Sequence, residues 1–229
     1  MSFEINYALE TKLGDGYYCK VYQARCLRGS GLTKAIKIID SQKAKHERPS
    51  TEVDVLQKCS HPNIIALEEH YYKYNHKDSA LVFRAYDIDL RQFLRRRRDT
   101  PDEFPPEHKR QISSGLWTGL AYLHSVSIVH RDVNPANVML RYGLTIQTVL
   151  ADMGLAADMS MPSSVAGDDE AYRNYLNTHV CNIGYIAPEL LPVHKCESAA
   201  YDSGIDVWSA AVVTFEIVPS SGSSRGFNA

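Results

Sequence analysis

The sequence predicts an α+β fold, with a strand-rich N-terminal part and a larger, mainly helical C-terminal part. Short runs between about residues 7 and 83 alternate apolar and polar side chains, as half-buried strands do, and one helical stretch interrupts them. Further along, apolar residues at helical spacing mark one face of a long helix, at Ile112, Leu116, Leu120 and Leu123. Residues 206–217 then form a second, strongly apolar helical stretch.

The composition is that of an ordinary globular protein. Its 229 residues are 44% hydrophobic and 23% charged, and the net charge of −2 gives no reason to expect a nucleic-acid or membrane-surface protein. Five scattered cysteines lack CxxC spacing, which favours reduced thiols over a disulfide framework or a zinc site. The start lacks the regions of a signal peptide, and no apolar run is long enough to cross a membrane. We therefore expect an intracellular protein of the cytoplasm, the nucleus or both.

The first strand pair contains a glycine-rich turn, Leu13-Gly14-Asp15-Gly16, which leads to Val21. Two glycines around one residue allow a backbone to approach phosphate groups, with amide N–H groups as donors. The third glycine of the pattern GxGxxG is replaced by Cys19. Taken alone, such a pair of glycines is more often a tight turn between strands.

The next strand carries Lys37 in the run Lys34-Ala35-Ile36-Lys37. In isolation, a lysine there indicates the solvated face of an edge strand. Its context favours a functional position, because the glycine-rich turn lies 23 residues before it and a helical stretch with Glu52 follows. Glu52 taken alone is equally typical of a capped surface helix that faces solvent. Asp54 is the alternative acid, but Glu52 lies ten residues before Pro62, which favours Glu52.

A short apolar strand, Leu81-Val82-Phe83, precedes Arg84-Ala85-Tyr86, which we interpret as a hinge. Backbone N–H and C=O groups of such a hinge can pair with the edge of a purine, with Phe83 at the back of the pocket. A plain strand end is equally consistent with this stretch taken alone.

The loop 130–137 and the later Asp152 hold the residues with the clearest chemistry. Asp132 and Asn137 stand five residues apart in this loop, between a helical stretch and a strand-like run. Asp152 comes 20 residues after Asp132, behind the next strand. Phosphoryl transfer needs one group that orients a hydroxyl and two groups that hold magnesium against polyphosphate. Two carboxylates and an amide at this spacing are suited to those tasks.

A short helical stretch at residues 89–98 ends in four arginines, Arg95 to Arg98. Cations at a helix C-terminus suit the helix dipole, so we interpret the run as a solvated helix face. A nuclear-import signal or a nucleic-acid contact is the alternative. Residues 101–108, which are polar and rich in proline, are expected to form a loop.

Two further segments are predicted to be irregular. Residues 157–178 read as a mobile surface loop, longer than a compact domain usually carries without a function. Its hydroxyl-bearing residues are Ser160, Ser163, Ser164, Tyr172, Tyr175 and Thr178. Residues 219–229 are rich in serine and glycine and are expected to form a disordered tail.

Taken in order, the motifs resemble the eukaryotic protein kinase domain from about residue 7 to residue 218. They are Gly14-x-Gly16, Lys37, Glu52, His130-Arg131-Asp132 with Asn137, Asp152-Met153-Gly154, Ala187-Pro188-Glu189 and Asp206-x-Trp208. Within this family, the chain is most similar to cyclin-dependent and related serine/threonine kinases. Residues 49–51, 81–83, 89–90 and 153 carry this similarity. The resemblance implies a bilobal fold with a small β-rich N-lobe, which carries one main helix, and a mainly helical, incomplete C-lobe. It places the N-lobe at residues 1–83, the hinge at 84–86, the C-lobe at 87–218 and the tail at 219–229.

The resemblance also implies roles for several of the motif residues. Asp132 would orient the substrate hydroxyl, while Asn137 and Asp152 would hold Mg²⁺. Lys37, positioned by Glu52, would neutralise charge on the α- and β-phosphates of ATP. Arg131 would receive a phosphorylated residue of the activation segment. The ATP pocket is implied at Leu13, Gly14, Asp15, Gly16, Val21, Ala35, Lys37, Phe83, Ala85 and Tyr86.

Four features depart from the family pattern. Asn134, within the catalytic set, replaces a lysine near the transferring phosphoryl group, and Asn182 replaces a threonine that supports the catalytic aspartate. Cys19 replaces a glycine and is expected to crowd the phosphate loop. The sequence also ends soon after the Trp208 helix, so we expect a truncated C-lobe in which Glu189 lacks a downstream arginine. Uncovered apolar surface on that helix would make the fold marginally stable or dependent on a partner.

The first functional hypothesis is an ATP-dependent protein serine/threonine kinase, because the lysine and metal-binding residues are all retained. A catalytically impaired, kinase-like binding module is the alternative, favoured by Asn134, Asn182 and the truncation. A small-molecule kinase is a third hypothesis, and Ala187-Pro188-Glu189 argues against it. The partners expected are a protein substrate and a cyclin-like or other regulatory protein, with no specific nucleic acid and no membrane.

Overall fold

A computed structural model describes residues 3–16, 19–28, 31–40, 49–74, 78–99, 105–160, 183–190 and 202–218. Within them lie five α-helices: α1 (Phe3–Asn6), α2 (Pro49–Lys58), α3 (Leu90–Asp99), α4 (Pro106–Ser125) and α5 (Gly204–Ile217). Short 3₁₀ turns occur at Pro135–Asn137, Ile183–Tyr185 and Pro188–Leu190. None of the helices in these ranges is long and apolar enough to span a membrane.

The N-terminal part is a five-stranded antiparallel sheet with the order β1-β2-β3-β5-β4. Its strands are β1 (Tyr7–Asp15), β2 (Cys19–Cys26), β3 (Thr33–Ile39), β4 (Leu67–Tyr74) and β5 (Asp78–Arg84). Lys37 lies opposite Val21 on one side and opposite Leu81 on the other. Directly opposed residues of antiparallel strands point to the same face, so one face of the sheet carries all three side chains.

The two faces of this sheet pack against different parts of the chain. Ile39, Leu81 and Phe83 join a large core together with Val53 and Leu56 of α2. The opposite face is covered by Phe3, whose ring lies 4.6 Å from that of Tyr74 and 5.3 Å from that of Tyr71, centroid to centroid. Helix α1 was not predicted from the sequence, because four residues are too few for a helical period to be recognised.

The C-terminal part is built on two long helices and two small sheets. One sheet has the order β6-β8-β9, formed by β6 (Ile88–Asp89), β8 (Val138–Arg141) and β9 (Gln147–Leu150). The other pairs β7 (Ile128–Val129) with β10 (Ala157–Asp158). The predicted apolar face of α4 is fully buried, at Ile112, Leu116, Leu120 and Leu123. Because β6 pairs with β8, the start of α3 is fixed next to the loop that precedes β8.

The segment after α2 joins the two parts of the molecule. Ile64 forms a parallel bridge with Leu150 of β9. The backbone N–H of Leu150 donates to the carbonyl of Asn63 at 2.8 Å, and the N–H of Ile65 donates to the carbonyl of Leu150 at 2.9 Å. These bonds fix α2 relative to the strand that leads to Asp152, so the main helix of the N-terminal part is aligned with the acidic residues of the C-terminal part.

Two boundaries differ from the predictions. The stretch 101–108 was expected to be a loop, but α4 begins at Pro106, where the missing backbone N–H of proline costs nothing. The irregular segment was expected to start at Ala157, but Ala157 and Asp158 pair with β7. Most of that segment, Asn182 and the tail 219–229 lie outside the described residues.

Candidate active site

The loop 130–137 holds the Asp132 carboxylate between two amide side chains. Asn137 Nδ2 donates to Asp132 Oδ2 at 2.7 Å, and Asn134 Nδ2 donates to Asp132 Oδ1 at 2.9 Å. Both amides also donate to the backbone carbonyl of Asp132, at 2.9 and 3.2 Å. With each carboxylate oxygen bonded, the side chain of Asp132 has a fixed orientation.

Asp206 of α5 anchors the beginning of this loop. Its carboxylate, which is 1% exposed, accepts the backbone N–H groups of His130 and Arg131 at 2.8 Å each and contacts His124 Nε2 at 2.9 Å. Arg131 adopts a φ of 69°, in the left-handed region that costs a non-glycine residue about 1 kcal/mol or more. The buried carboxylate therefore holds the loop in a strained conformation. Arg131 directs its Nε to the carbonyl of Leu155.

Lys37, Glu52 and Asp152 form a compact ion cluster. Lys37 Nζ lies 2.9 Å from Glu52 Oε2, 3.0 Å from Glu52 Oε1 and 2.7 Å from Asp152 Oδ1. The Glu52 side chain is 4% exposed and that of Lys37 12%, whereas that of Asp152 is 45% exposed. Asp54, the alternative acid on α2, is exposed. Gly154 lies against the cluster, because a Cβ at this position would come within 3.2 Å of Asp152 Oδ1.

The charges of this cluster support one another. Burial lowers the pKa of Lys37, but the carboxylates of Asp152 and Glu52 outweigh that effect and hold its pKa well above the usual range. Burial raises the pKa of Asp152, but attraction and hydrogen bonding by Lys37 reverse this, so the pKa of Asp152 is lowered. Burial raises the pKa of Glu52, and the attraction of Lys37 offsets it only in part. The lysine therefore remains a cation within this cluster.

Asp132 has a different electrostatic environment. Burial is the main reason that its pKa rises to about 6, and the nearby Asp152 carboxylate raises it further. His130 and the two amide donors Asn134 and Asn137 act in the opposite direction. Two carboxylates of one site therefore titrate at different pH values, an arrangement typical of sites in which one carboxylate handles a proton and the other holds charge.

The glycine-rich turn lies at the end of β1, with Gly14 opposite Val21 of β2. The turn is closed by a hydrogen bond from the N–H of Gly16 to the carbonyl of Cys19 at 2.8 Å, and Asp15 pairs with Lys12 at 2.5 Å. A Cβ built on Gly16 would lie 3.2 Å from the sulfur of Cys19, so this thiol fills space inside the turn. Leu13 beside it is 54% exposed.

The predicted purine side of the pocket lies across the same sheet. Ala35 of β3 is directly opposite Phe83 of β5, on the face that also carries Lys37. Phe83 is buried in the large core, and Arg84 ends β5. Ala85 and Tyr86 follow β5 and are half-buried, and burial raises the pKa of Tyr86. Ala35 and Phe83 therefore share one face of the sheet with Lys37 of the ion cluster.

Asn137 and Asp152 provide the oxygen donors that suit a magnesium ion. Within the described ranges, no group of three or more His, Cys, Asp or Glu side chains is arranged to hold a metal by itself. Magnesium in phosphoryl-transfer sites is typically held by one or two side chains together with water and substrate phosphates. The partly exposed carboxylate of Asp152, in the same site as the Asn137 amide, fits that chemistry.

Two features of the site were not found from the sequence. The predictions gave no role to Asp206, because a carboxylate in the first turn of a helix suits the helix dipole and gives no sign that it serves another element. Arg91 of α3 was also missed: its Nη2 donates to Asn134 Oδ1 at 3.3 Å. No local pattern indicates a contact between residues 43 positions apart.

The described residues also line an open pocket of about 530 Å³ away from this site, beside Phe3 and the tyrosines that pack against it. It contains none of the predicted site residues. Its lining is formed by Asn6, Tyr7, Cys26, Arg28, Glu69, His70 and Tyr71.

Comparison with known proteins agrees with this geometry. The family model "Protein kinase domain" matches residues 7–224. Cyclin-dependent kinase 1 of Encephalitozoon cuniculi is 33% identical over 210 residues, which cover 90% of this chain and 64% of that protein. A probable myosin light chain kinase of Dictyostelium discoideum is 28% identical, over 92% of this chain and 62% of the relative. Cyclin-dependent kinase 2 of Caenorhabditis elegans is 30% identical, over 90% of this chain and 52% of that protein.

This chain spans less than two thirds of the length of each of these three relatives. The family match nevertheless covers nearly all of it, and the β-sheet and helices described above agree with the two-lobed architecture of the family. The predicted fold class and the predicted family are thereby confirmed, and the chain belongs to the protein kinase domain family.

Proposed function

We propose that this chain is an ATP-dependent protein serine/threonine kinase, which transfers the γ-phosphoryl group of ATP to a hydroxyl of a protein substrate. One observation carries the proposal: the buried Lys37–Glu52 pair contacts Asp152 in the same site that fixes Asp132 between two amides. Positioned charges of this kind provide most of the rate enhancement in phosphoryl transfer. The cyclin-dependent kinases among the relatives support the serine/threonine class.

Each residue of the site has a defined task in this proposal. Asp132 orients the substrate hydroxyl and accepts its proton, because its carboxylate is fixed and its pKa of about 6 lies near neutrality. Asn137 and Asp152 hold Mg²⁺, which neutralises charge on the phosphates when bound. Lys37, oriented by Glu52, binds the α- and β-phosphates. Asn134 holds Asp132 in place.

The remaining pocket residues bind the nucleotide. The backbone of the 14–16 turn approaches the phosphates, and the purine lies between Val21 and Ala35, with Phe83 behind it. Backbone groups of Ala85 and Tyr86 pair with the edge of the purine. Leu13 and Asp15 flank the opening of the pocket.

The same proposal extends to the organisation and surroundings of the chain. We assign residues 1–83 to the N-lobe, 84–86 to the hinge and 87–218 to the C-lobe. An intracellular location is supported by the described cysteines, Cys19, Cys26 and Cys59, none of which forms a disulfide. A cyclin-like regulatory partner is proposed because two relatives are named cyclin-dependent kinases.

A catalytically impaired binding module is the second candidate function, and one contact favours it. The sulfur of Cys19 lies within 3.2 Å of the Cβ position of Gly16, so the turn has less room for phosphate groups than a turn with a third glycine. In this alternative the site binds nucleotide weakly and acts by occupying a partner.

The test measures transfer of radiolabelled phosphate from Mg²⁺-ATP to a generic basic protein by the chain and two variants. Asp152→Asn removes the proposed metal ligand. Asp158→Asn is the matched control, because Asp158 also pairs with a lysine at 2.7 Å but lies outside the ion cluster. Transfer that is lost only in Asp152→Asn supports the kinase. A folded chain, checked by circular dichroism, that binds ATP without any transfer favours the binding module.

A further inference from the structure

We propose that Arg91 is a positioning residue of the phosphoryl transfer: through the Asn134 amide, it supplies the positive charge that position 134 itself lacks beside Asp132. This inference rests on the proposed kinase function. Its basis is a chain of hydrogen bonds from Arg91 Nη2 to Asn134 Oδ1 at 3.3 Å, and from Asn134 Nδ2 to Asp132 Oδ1 at 2.9 Å.

Asn134 is suited to connect the two charges because all of its hydrogen-bonding capacity is used. It is 3% exposed. Its Oδ1 accepts from the backbone N–H of Ala136 at 3.0 Å and from Arg91, while its Nδ2 donates to the carboxylate and the carbonyl of Asp132. Reversing the amide would place its NH₂ group against two donors, so the contacts determine its orientation. A guanidinium on the oxygen side polarises the amide and strengthens the N–H that holds Asp132.

The position of Arg91 in α3 is unfavourable for the helix itself. Asp89 caps α3 by accepting the N–H of Gln92 at 2.8 Å, which places Arg91 in the first turn. A cation there opposes the helix dipole, whereas Arg95 and Arg96 near the other end suit it. A residue that conflicts with its local structure is typical of a functional position.

The surrounding framework keeps Arg91 and Asn134 at a fixed separation. Leu90, the neighbour of Arg91, is fully buried. The strand before α3 pairs with β8, with Ile88 opposite Leu140, and β8 directly follows the loop of Asn134. Arg91 is half-buried, so its charge is less screened than that of a surface arginine. Negative charge develops on the transferring phosphoryl group next to Asp132, where a fixed cation lowers the barrier.

The test is steady-state kinetics of phosphate transfer by Arg91→Gln, Arg91→Lys and the control Arg95→Gln, which removes an arginine one helical turn further along α3. We expect Arg91→Gln to lower kcat by about tenfold or more while the KM for ATP changes by less than about twofold, because the interaction acts in the transition state. Arg91→Lys keeps the charge and should recover part of kcat. Arg95→Gln should behave like the wild type.

Moving the charge provides a readout that a purely structural role of Arg91 would not produce. Asn134→Lys alone brings two cations together and should lower both kcat and stability. Combined with Arg91→Gln, it restores a single positive charge beside Asp132, and kcat should exceed that of either single variant. A double variant no faster than Arg91→Gln alone, or an Arg91→Gln variant with the kcat of the wild type, would overturn the inference.

The outcomes separate this inference from the proposed function. A wild-type chain without any transfer removes the proposed function and, with it, the positioning role of Arg91. An active wild type with an unaffected Arg91→Gln variant removes only the inference. Urea unfolding of the wild type, Arg91→Gln, Asn134→Lys and the double variant tests the contact without any measurement of activity. The factor by which Asn134→Lys raises the equilibrium constant of unfolding should be at least about threefold larger when Arg91 is present than in the Arg91→Gln background. Equal shifts would contradict a coupling between positions 91 and 134.

Discussion

The carboxylate of Asp206 accepts the backbone N–H of Arg131, a residue 75 positions earlier in the chain whose φ of 69° lies in the left-handed region. The same carboxylate accepts the N–H of His130 and contacts His124. A helix near the end of the described chain thus determines the backbone conformation of the loop that carries Asp132. The geometry of the candidate site depends on an interaction between elements that are distant in sequence.

Replacing Asp206 by asparagine should therefore destabilise the protein and the loop together. An amide offers only one acceptor oxygen and presents an NH₂ group to a donor, so at least one charge-assisted hydrogen bond is lost. We expect the free energy of unfolding to fall by about 3 kcal/mol in urea titrations. Glu216→Gln is the control on the same helix, since Glu216 is exposed and accepts from Tyr185 at 2.6 Å. A loss in Asp206→Asn no larger than in the control would contradict the role of Asp206.

Lys37→Met should cost stability in a pH-dependent way. It leaves the Glu52 carboxylate, 4% exposed, without its ammonium partner, and breaking such a pair costs about 3–5 kcal/mol. Burial already raises the pKa of Glu52, and loss of Lys37 removes the main opposing attraction. In the variant, the Glu52 carboxylate takes up a proton more readily at low pH, which removes the unpaired buried charge. The loss of unfolding free energy should therefore be larger at pH 8 than at pH 5. Urea unfolding at both pH values measures the difference.

The matched control for this prediction is Lys34→Met on the same strand. Lys34 pairs with Glu68, and the two side chains are 16% and 34% exposed. Water compensates for a lost partner at such a site, so the expected loss is about 1 kcal/mol or less and independent of pH. Similar losses of unfolding free energy in the two variants at both pH values would show that the Lys37–Glu52 pair stabilises the protein no more than a surface pair does.

Asp132→Asn should stabilise the metal-free chain at neutral pH. Burial raises the pKa of Asp132 from 3.8 to about 6, so its ionised form is less stable in the folded chain than in the unfolded chain. The cost appears as pH rises from about 4 to 6 and is complete above that range, with an upper limit of about 3 kcal/mol. In thermal unfolding experiments, the free energy of unfolding of Asp132→Asn should therefore exceed that of the wild type by about 1–3 kcal/mol at pH 7.5 and by almost nothing at pH 4. Asp54→Asn, at an exposed position of α2, serves as the control. A gain of the same size at both pH values would contradict the raised pKa.

Gly119→Ala should destabilise the protein although it replaces glycine inside a helix. A Cβ at Gly119 would lie 2.7 Å from the backbone oxygen of Asn63, which accepts the N–H of Leu150. In an exposed helix the same change would stabilise by about 1 kcal/mol, but here the overlap with backbone should cost about 1–3 kcal/mol. Thermal unfolding measures the sign. Thr118→Ala, at the exposed neighbouring position, should be neutral or slightly stabilising, and a stabilising Gly119→Ala would rule out the close contact.

Local sequence patterns determined much of this protein. The alternation of residues 7–83 and the helical spacing of α4 predicted the α+β architecture, because both periods reflect which side of an element is buried. The spacing of Asp132, Asn137 and Asp152 indicated phosphoryl transfer, and the ordered motifs from Gly14 to Trp208 resembled those of the protein kinase family. Glu52 was preferred over Asp54 on sequence alone, and in the structure Glu52 is buried against Lys37 while Asp54 is exposed.

Tertiary structure decided what no local period encodes. The support of Arg131 by Asp206 and the contact between Arg91 and Asn134 join residues 75 and 43 positions apart. The substitution of lysine by Asn134 looked like a simple loss of charge in the sequence. In the folded chain, strand pairing between β6 and β8 brings a guanidinium to the same asparagine. Sequence periodicity specifies which face of an element is buried, whereas the partner across that face is fixed only when distant elements pack together.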